Sequence, residues 1–184
     1  DVIDSATKTM YLSTIAKAQV KGMRAIAVGY HESQGQPVNG NLHTFETFVF
    51  VGYCFIKDPI REDVPAAMEQ AKRMGIDVKI CTGDNRGTAV GIGTEAKLVT
   101  GDFDTYEGSE VHEISDMQIN GLKILARSKP MDKHKLVTRL KAFDSNRCIA
   151  VTGDGTNDAP AMKVSQCGVS MGNATSIAKQ TADV

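Results

Sequence analysis

The chain lacks an apolar stretch approaching the roughly 20 residues that span a bilayer. Its longest such run, Phe45–Ile56, is interrupted by Glu46, Thr47 and Gly52. It also lacks the basic-then-apolar opening of a secretory leader. Net charge is nearly absent: Lys plus Arg number 21 against 22 Asp plus Glu, giving -1. Without a basic excess there is nothing to hold a phosphate backbone, which excludes nucleic acid as the partner. No two of the four cysteines stand in C-x-x-C spacing, and Cys54, Cys81 and Cys148 sit inside apolar runs. Reduced, buried, cytosolic thiols are the expectation, rather than metal ligands or disulfides. There is no G-x-x-x-x-G-K-[ST], so the chain is not a P-loop enzyme.

What is present fits a globular protein, with 41% hydrophobic and 23% charged residues. The length of 184 residues allows one domain or one and a fraction. The sequence starts without Met and stops at Val184 with no terminal cap signal, so it reads as an excised piece.

Apolar positions from Asp4 to Val20 loosely follow a helical period. Gly22 punctuates, and Met23–Tyr30 reads as a short strand. Residues His31–His43, with two glycines, a proline and two asparagines, read as a loop. Phe45–Ile56 reads as an aromatic and β-branched second strand.

After Asp58-Pro59 the rhythm becomes strand and helix in alternation. A helix is predicted from about Glu62, with Pro65 in its first turn and Gly75 beyond its end. Val78–Cys81 is a strand, and a helix follows through Ala89, Ile92 and Ala96. Thr100–Glu113 is polar and loop-like, Leu122–Ala126 a strand and Pro130–Ala142 a helix. Cys148–Val151 is a strand, with a short helix near Pro160–Val164 and a last strand at Cys167–Met171. Such alternation predicts an α/β fold with a doubly wound parallel sheet, preceded by a more antiparallel piece of a different domain.

Two strands end in the same tripeptide, as Thr82-Gly83-Asp84-Asn85 and as Thr152-Gly153-Asp154-Gly155-Thr156-Asn157-Asp158. Ligands of open parallel sheets sit beyond the carboxyl ends of the strands. Two such ends, each with a hydroxyl, a glycine and a carboxylate, suit a phosphate and a hard cation. Glycine lets backbone N–H groups approach phosphate oxygens, and carboxylates suit Mg²⁺ alongside phosphate and water. A single T-G-D could equally cap the following helix; two copies, one extended to G-T-N-D, argue for the site. Lys133, near a helix start, can serve as a point charge toward phosphate, although by itself it reads as a solvated surface lysine.

Asp58-Pro59-Ile60-Arg61, Thr82–Asn85, Ala126-Arg127 through Pro130 to Lys133, and Thr152–Pro160 (TGDGTNDAP) occur in the order and spacing of P-type ATPases. The chain resembles that family, part of the haloacid-dehalogenase-like superfamily, along essentially its whole length. The tail Ser170–Lys179 looks like that of calcium-type pumps; Met162 stands where leucine is usual. The resemblance implies a haloacid-dehalogenase-like sheet lacking its first strand, with residues 1–57 ending a nucleotide-binding domain and 58–184 forming the C-terminal part of a phosphorylation domain.

It further implies roles. Asp154 ligates the catalytic Mg²⁺, while Asp158 and Asn157 order the ion's shell and the phosphate. Thr82 and Gly83 bind phosphoryl oxygens, and Lys133 neutralises them. Asp84 and Arg127 lie near the ribose of ATP, Arg24 contacts its phosphates, and Asp58 and Arg61 form an interdomain hinge. The parent would sit in a membrane through helices outside this chain, with this part on the cytoplasmic face, and would move a cation, calcium by the tail. One departure stands out: the D-K-T-G-T stretch carrying the family's nucleophile is absent, the only Asp-Lys being Asp132-Lys133 followed by His134-Lys135. The isolated chain is therefore expected to be inactive. The central strand bearing that aspartate would lie between the two T-G-D strands, so two unpaired edges should face a gap.

Gly91-Ile92-Gly93-Thr94-Glu95-Ala96 echoes a dinucleotide fingerprint but falls mid-helix. Two other readings compete. A free-standing phosphatase of the same superfamily needs its own nucleophilic aspartate on a first strand and has no place for D-P-x-R. A non-catalytic nucleotide-binding module has no need of Asp154, Asp158 and Lys133 together.

Overall fold

The computed structural model describes residues 3–31 and 48–184. Most of the loop read at His31–His43, and the start of the strand read from Phe45, lie outside the described residues. The chain divides into two compact units, Asp1–Pro59 and Ile60–Val184.

In the first unit, helix α1 (Ser5–Val20) starts where Asp4 accepts the Thr7 amide at 2.8 Å, satisfying one of the orphan donors at a helix start. It stops where Gly22 takes a positive φ of 74° and Met23 N–H donates back to Ala18. Strands β1 (Arg24–Tyr30) and β2 (Val49–Ile56) pair antiparallel, Arg24 opposite Ile56, with a bulge at Val28/Gly29. Tyr11 of α1 packs its ring on Phe50 and Tyr53, at 5.2 and 5.7 Å between centroids.

The second unit runs α2 (Val64–Arg73), β3 (Ile80–Cys81), α3 (Arg86–Glu95), β4 (Thr105–Glu107), a short 3-10 helix (Gly108–His112), α4 (Asp116–Gly121), β5 (Ile124–Ala126), α5 (Pro130–Phe143), β6 (Ala150–Gly153), α6 (Ala159–Val164), β7 (Cys167–Ser170) and α7 (Ser176–Thr181). The sheet comes in two parallel pieces, one ordered β3-β5-β4 and one β6-β7. The two T-G-D strands, β3 and β6, do not pair with each other.

Helices cover both faces of the three-stranded piece. Leu125 of β5 packs with Leu136 and Leu140 of α5 and with Ile119 and Leu122, all buried. On the opposite face Ile124 and Ala126 meet Ala89 of α3. Gly93 permits that contact, because a Cβ there would lie 2.7 Å from Ile124 Cδ1. Around the two-stranded piece Met162, Ala174 and Ala178 form a third cluster, with Val151 against it. This is the α/β architecture of parallel strands and covering helices that the sequence predicts.

Several sequence expectations change. Residues Thr100–Glu113, read as loop, contain β4 and the 3-10 helix. Their polarity misleads because the strand is only three residues long and is specified by its ladder to β5, where Thr105 is 1% exposed. The strand read at Cys148–Val151 shifts to Ala150–Gly153, the residues that find a partner in β7. Val78–Cys81 shortens to Ile80–Cys81. The four thiols are free, and Cys54 and Cys148 are exposed where burial was expected. Cys54 lies on a two-stranded ribbon, and Cys148 precedes a strand that pairs, among the described residues, with β7 alone.

Candidate active site

Between β3 and β6 runs a groove of about 860 Å³. Ile80 and Cys81 form one wall and Ala150–Thr152 the other, while Leu136, Val137 and Leu140 of α5 face it. Burial here pushes the Cys81 thiol up to about 11, against a smaller opposing effect of the Lys133 charge. At the end of the groove where both strands terminate stand Lys133 and Asp158.

Lys133 lies in the first turn of α5, whose start is fixed by Pro130 and by Asp132 accepting the Lys129 amide at 2.8 Å. Its ammonium donates to Asp158 Oδ1 at 2.7 Å, with side chains only 14% and 17% exposed. Two of the three ammonium protons are left for another acceptor, and the α5 N-terminus adds a positive partial charge nearby.

The two T-G-D copies differ in surroundings. Gly153 is packed: a Cβ would lie 2.4 Å from Asp158 Cβ and 2.7 Å from its Cγ. Gly153→Ala is therefore expected to displace Asp158 from Lys133 and lower stability by ~1–3 kcal/mol, as overpacking does. Urea denaturation measures this, and an unchanged midpoint would show that the loop absorbs the methyl group. Gly83, in contrast, would have nothing within 4 Å of its Cβ. No packing against the protein calls for glycine there, and the residue is exposed.

Thr82 continues the parallel ladder, its N–H donating to Leu125 at 2.9 Å. Its Oγ1 accepts the Asp84 amide at 3.1 Å, which leaves the hydroxyl proton to donate outward. Asn85 caps α3 by accepting the Thr88 amide at 3.0 Å. On the second copy, Asp154 and Asn157 are exposed, and the Asp154 carbonyl is tied to the Thr175 amide at 2.8 Å.

Among the described residues no three His, Cys, Asp or Glu side chains gather as a metal cage. Asp154, exposed in the same loop that carries the lysine-held Asp158, offers an open carboxylate donor. That fits Mg²⁺, which takes one or two carboxylates and completes its shell with water and substrate phosphate. It does not fit a closed structural metal.

Lys133 and Asp158 thus meet directly. Thr82 joins them through the turn that opens α5: Ser128 N–H and Oγ both donate to the Thr82 carbonyl, at 2.9 and 3.0 Å. Arg127 reaches Glu107, Nε to Oε1 at 3.3 Å, with 63% of its side chain exposed. Arg24 stands exposed at the start of β1 in the first unit. Sequence reasoning gave Ser128 and Glu107 no role. A serine two residues past a strand and two residues before a helix-opening proline is the available signal.

The sequence model of the family described as haloacid dehalogenase-like hydrolase matches residues 25–165. Calcium-transporting ATPase 3, plasma membrane-type, of Oryza sativa subsp. japonica is 36% identical, over 99% of this chain and 18% of that protein. Calcium-transporting ATPase PAT1 of Dictyostelium discoideum is 38% identical, over 98% and 16% respectively. The chain spans less than a fifth of the length of these relatives. A crystal structure of a zinc-transporting PIB-type ATPase in its E2.Pi state superposes with a TM-score of 0.59 at 26% identity, covering 95% of this chain and 22% of that one. Its title names zinc where the curated relatives' names give calcium, so the shared fold does not select the ion. With both T-G-D loops and Lys133 inside the matched span, the chain belongs to the haloacid dehalogenase-like hydrolase family.

Proposed function

We propose that the chain is the phosphoryl-binding part of a P-type ATPase that moves a cation, calcium, across a membrane. In the whole protein an aspartate outside this chain accepts the phosphoryl group of ATP, and this chain holds and releases it. Residues 58–184 act as the C-terminal part of the phosphorylation domain, and 1–57 as the end of a nucleotide-binding domain. Both lie on the cytoplasmic face, tethered by membrane helices outside the chain. The observation that carries this reading is the Lys133–Asp158 pair at the carboxyl ends of two T-G-D strands that flank an unfilled groove.

Phosphoryl transfer asks a protein mostly for positioning and charge. Asp158 holds the Lys133 ammonium in place, so the positive charge is pre-organised rather than recruited at the moment of reaction. The Thr82 hydroxyl and the open backbone at Gly83 donate to phosphoryl oxygens. Asp154 would hold Mg²⁺, with Asn157 and Asp158 ordering its surroundings; that ion would supply charge neutralisation at the transferring group. Arg24, Asp84 and Arg127 serve ATP, the first through its phosphates and the others near its ribose.

In the full-length protein Asp154→Asn is expected to raise the Mg²⁺ concentration for half-maximal phosphoenzyme by at least about tenfold, since even outer-shell changes cost about 10–100-fold in metal affinity. An unchanged Mg²⁺ titration would remove Asp154 from the metal.

A further inference from the structure

We propose that Ser128 is a positioning residue for phosphoryl binding, an inference that rests on the function proposed above. Three observations converge on it. First, its amide and hydroxyl both donate to one acceptor, the Thr82 carbonyl, at 2.9 and 3.0 Å. The residue is 8% exposed, so water does not replace the hydroxyl easily.

Second, the preceding Arg127 adopts a left-handed backbone, φ 46°. That conformation is unfavourable for a residue with a Cβ and persists where surrounding bonds over-determine it. Here it turns the chain leaving β5 so that two successive amides serve the other loop: Arg127 N–H donates to the Asp84 carbonyl at 2.8 Å and Ser128 N–H to that of Thr82. The Thr82-Gly83-Asp84 loop is therefore clamped at both its ends from a neighbouring strand.

Third, the clamp is backed without slack. Gly108 comes so close that a Cβ on it would lie 2.9 Å from Ser128 Cα and 2.5 Å from Asp132 Oδ2. Asp132 is the carboxylate that caps α5, one residue before Lys133. Ser128 thus sits between the two donors of the phosphoryl site, bonded to the loop that carries Thr82 and placed at the mouth of the helix that carries Lys133. Its hydroxyl sets the orientation of the Thr82–Gly83 peptide, and so the aim of the donors on that loop relative to the ammonium of Lys133.

Ser128→Ala leaves the backbone donor to Thr82 in place and removes only the hydroxyl. The loop should persist but aim loosely. The test uses the full-length protein, with acid-stable incorporation of labelled inorganic phosphate in Mg²⁺ as the probe. ATP affinity and thermal melting are measured on the same preparations. Ser128→Ala is expected to weaken apparent phosphate affinity by about tenfold, equivalent to ~1.4 kcal/mol, with ATP affinity and melting temperature unchanged and with Ser128→Thr restoring phosphate affinity. Equal phosphate affinity in Ser128→Ala and the unmodified protein would overturn the inference. So would parallel losses of phosphate affinity, ATP affinity and melting temperature, which mark a residue that only maintains the fold, or a loss that threonine does not repair. If the unmodified protein incorporates no phosphate, the proposed function itself falls, and the inference with it.

Discussion

Incubated with γ-labelled ATP and Mg²⁺ and quenched in acid, the purified chain is expected to carry no hydroxylamine-sensitive label above background. An aspartyl-phosphate forms only where a carboxylate is aimed in line at the γ-phosphate. The carboxylates at the site are committed otherwise. Asp158 is bonded to the Lys133 ammonium at 2.7 Å and neighbours the Gly155 amide at 3.4 Å. Asp132 caps α5. Asp154 is the carboxylate we propose for the cation, and Asp58 belongs to the first unit. The D-K-T-G-T stretch is absent from the sequence. Label that survives acid and is released by hydroxylamine would show that this chain bears its own nucleophile, and would favour a self-sufficient phosphatase.

The Lys133–Asp158 pair should separate stability from catalysis. Removing one partner of a well-buried ion pair costs about 3–5 kcal/mol, because the other charge is left alone. With side chains 14% and 17% exposed, solvent reclaims part of that, and Asp158→Ala is expected to destabilise the chain by ~2 kcal/mol. The double change Lys133→Met with Asp158→Leu should recover most of the loss, since apolar pairs of similar volume often replace buried ion pairs without cost. In the full-length protein both variants should lose phosphoenzyme formation by about 10²-fold or more, the scale of removing one pre-organised donor. Urea midpoints and phosphoenzyme yields decide it. A double variant that is stable and still phosphorylates would make the pair a structural brace only.

The motifs were legible because their chemistry is local. T-G-D twice at the ends of apolar runs, and Pro130 opening a helix, announce strand ends and a helix start from neighbouring residues alone. The fingerprint-like Gly91–Ala96 lies in the second half of α3 and its C-cap rather than in a strand-to-helix turn. What sequence could not supply depends on partners distant along the chain. Thr105–Glu107 is a strand only because β5 lies beside it. Cys148 looks like a core residue in its apolar run, yet it is exposed, and among the described residues no strand covers it. Gly83 and Gly153 are identical in motif, but one faces open space and the other carries the Asp158 side chain against its Cα. The left-handed turn at Arg127 has no sequence signal, as arginine is not a residue chosen for that conformation.

The division of the sheet into β3-β5-β4 and β6-β7 has a mechanical consequence. Within each piece, ladders of backbone hydrogen bonds fix strand spacing at about 4.8 Å. Across the groove, the walls are joined by side chains, through the packing of α5 on α6 and bonds such as Lys141 to the Val164 carbonyl. Side-chain contacts yield more readily than a ladder, so the groove is the compliant seam of the second unit. Two plates hinged on α5 can part by a fraction of a strand width at little cost, and an extended segment entering between them would meet the facing edges of β3 and β6 at once. Such a segment would turn the seam into the stiffest line of the unit, with Lys133 and Asp158 at its end.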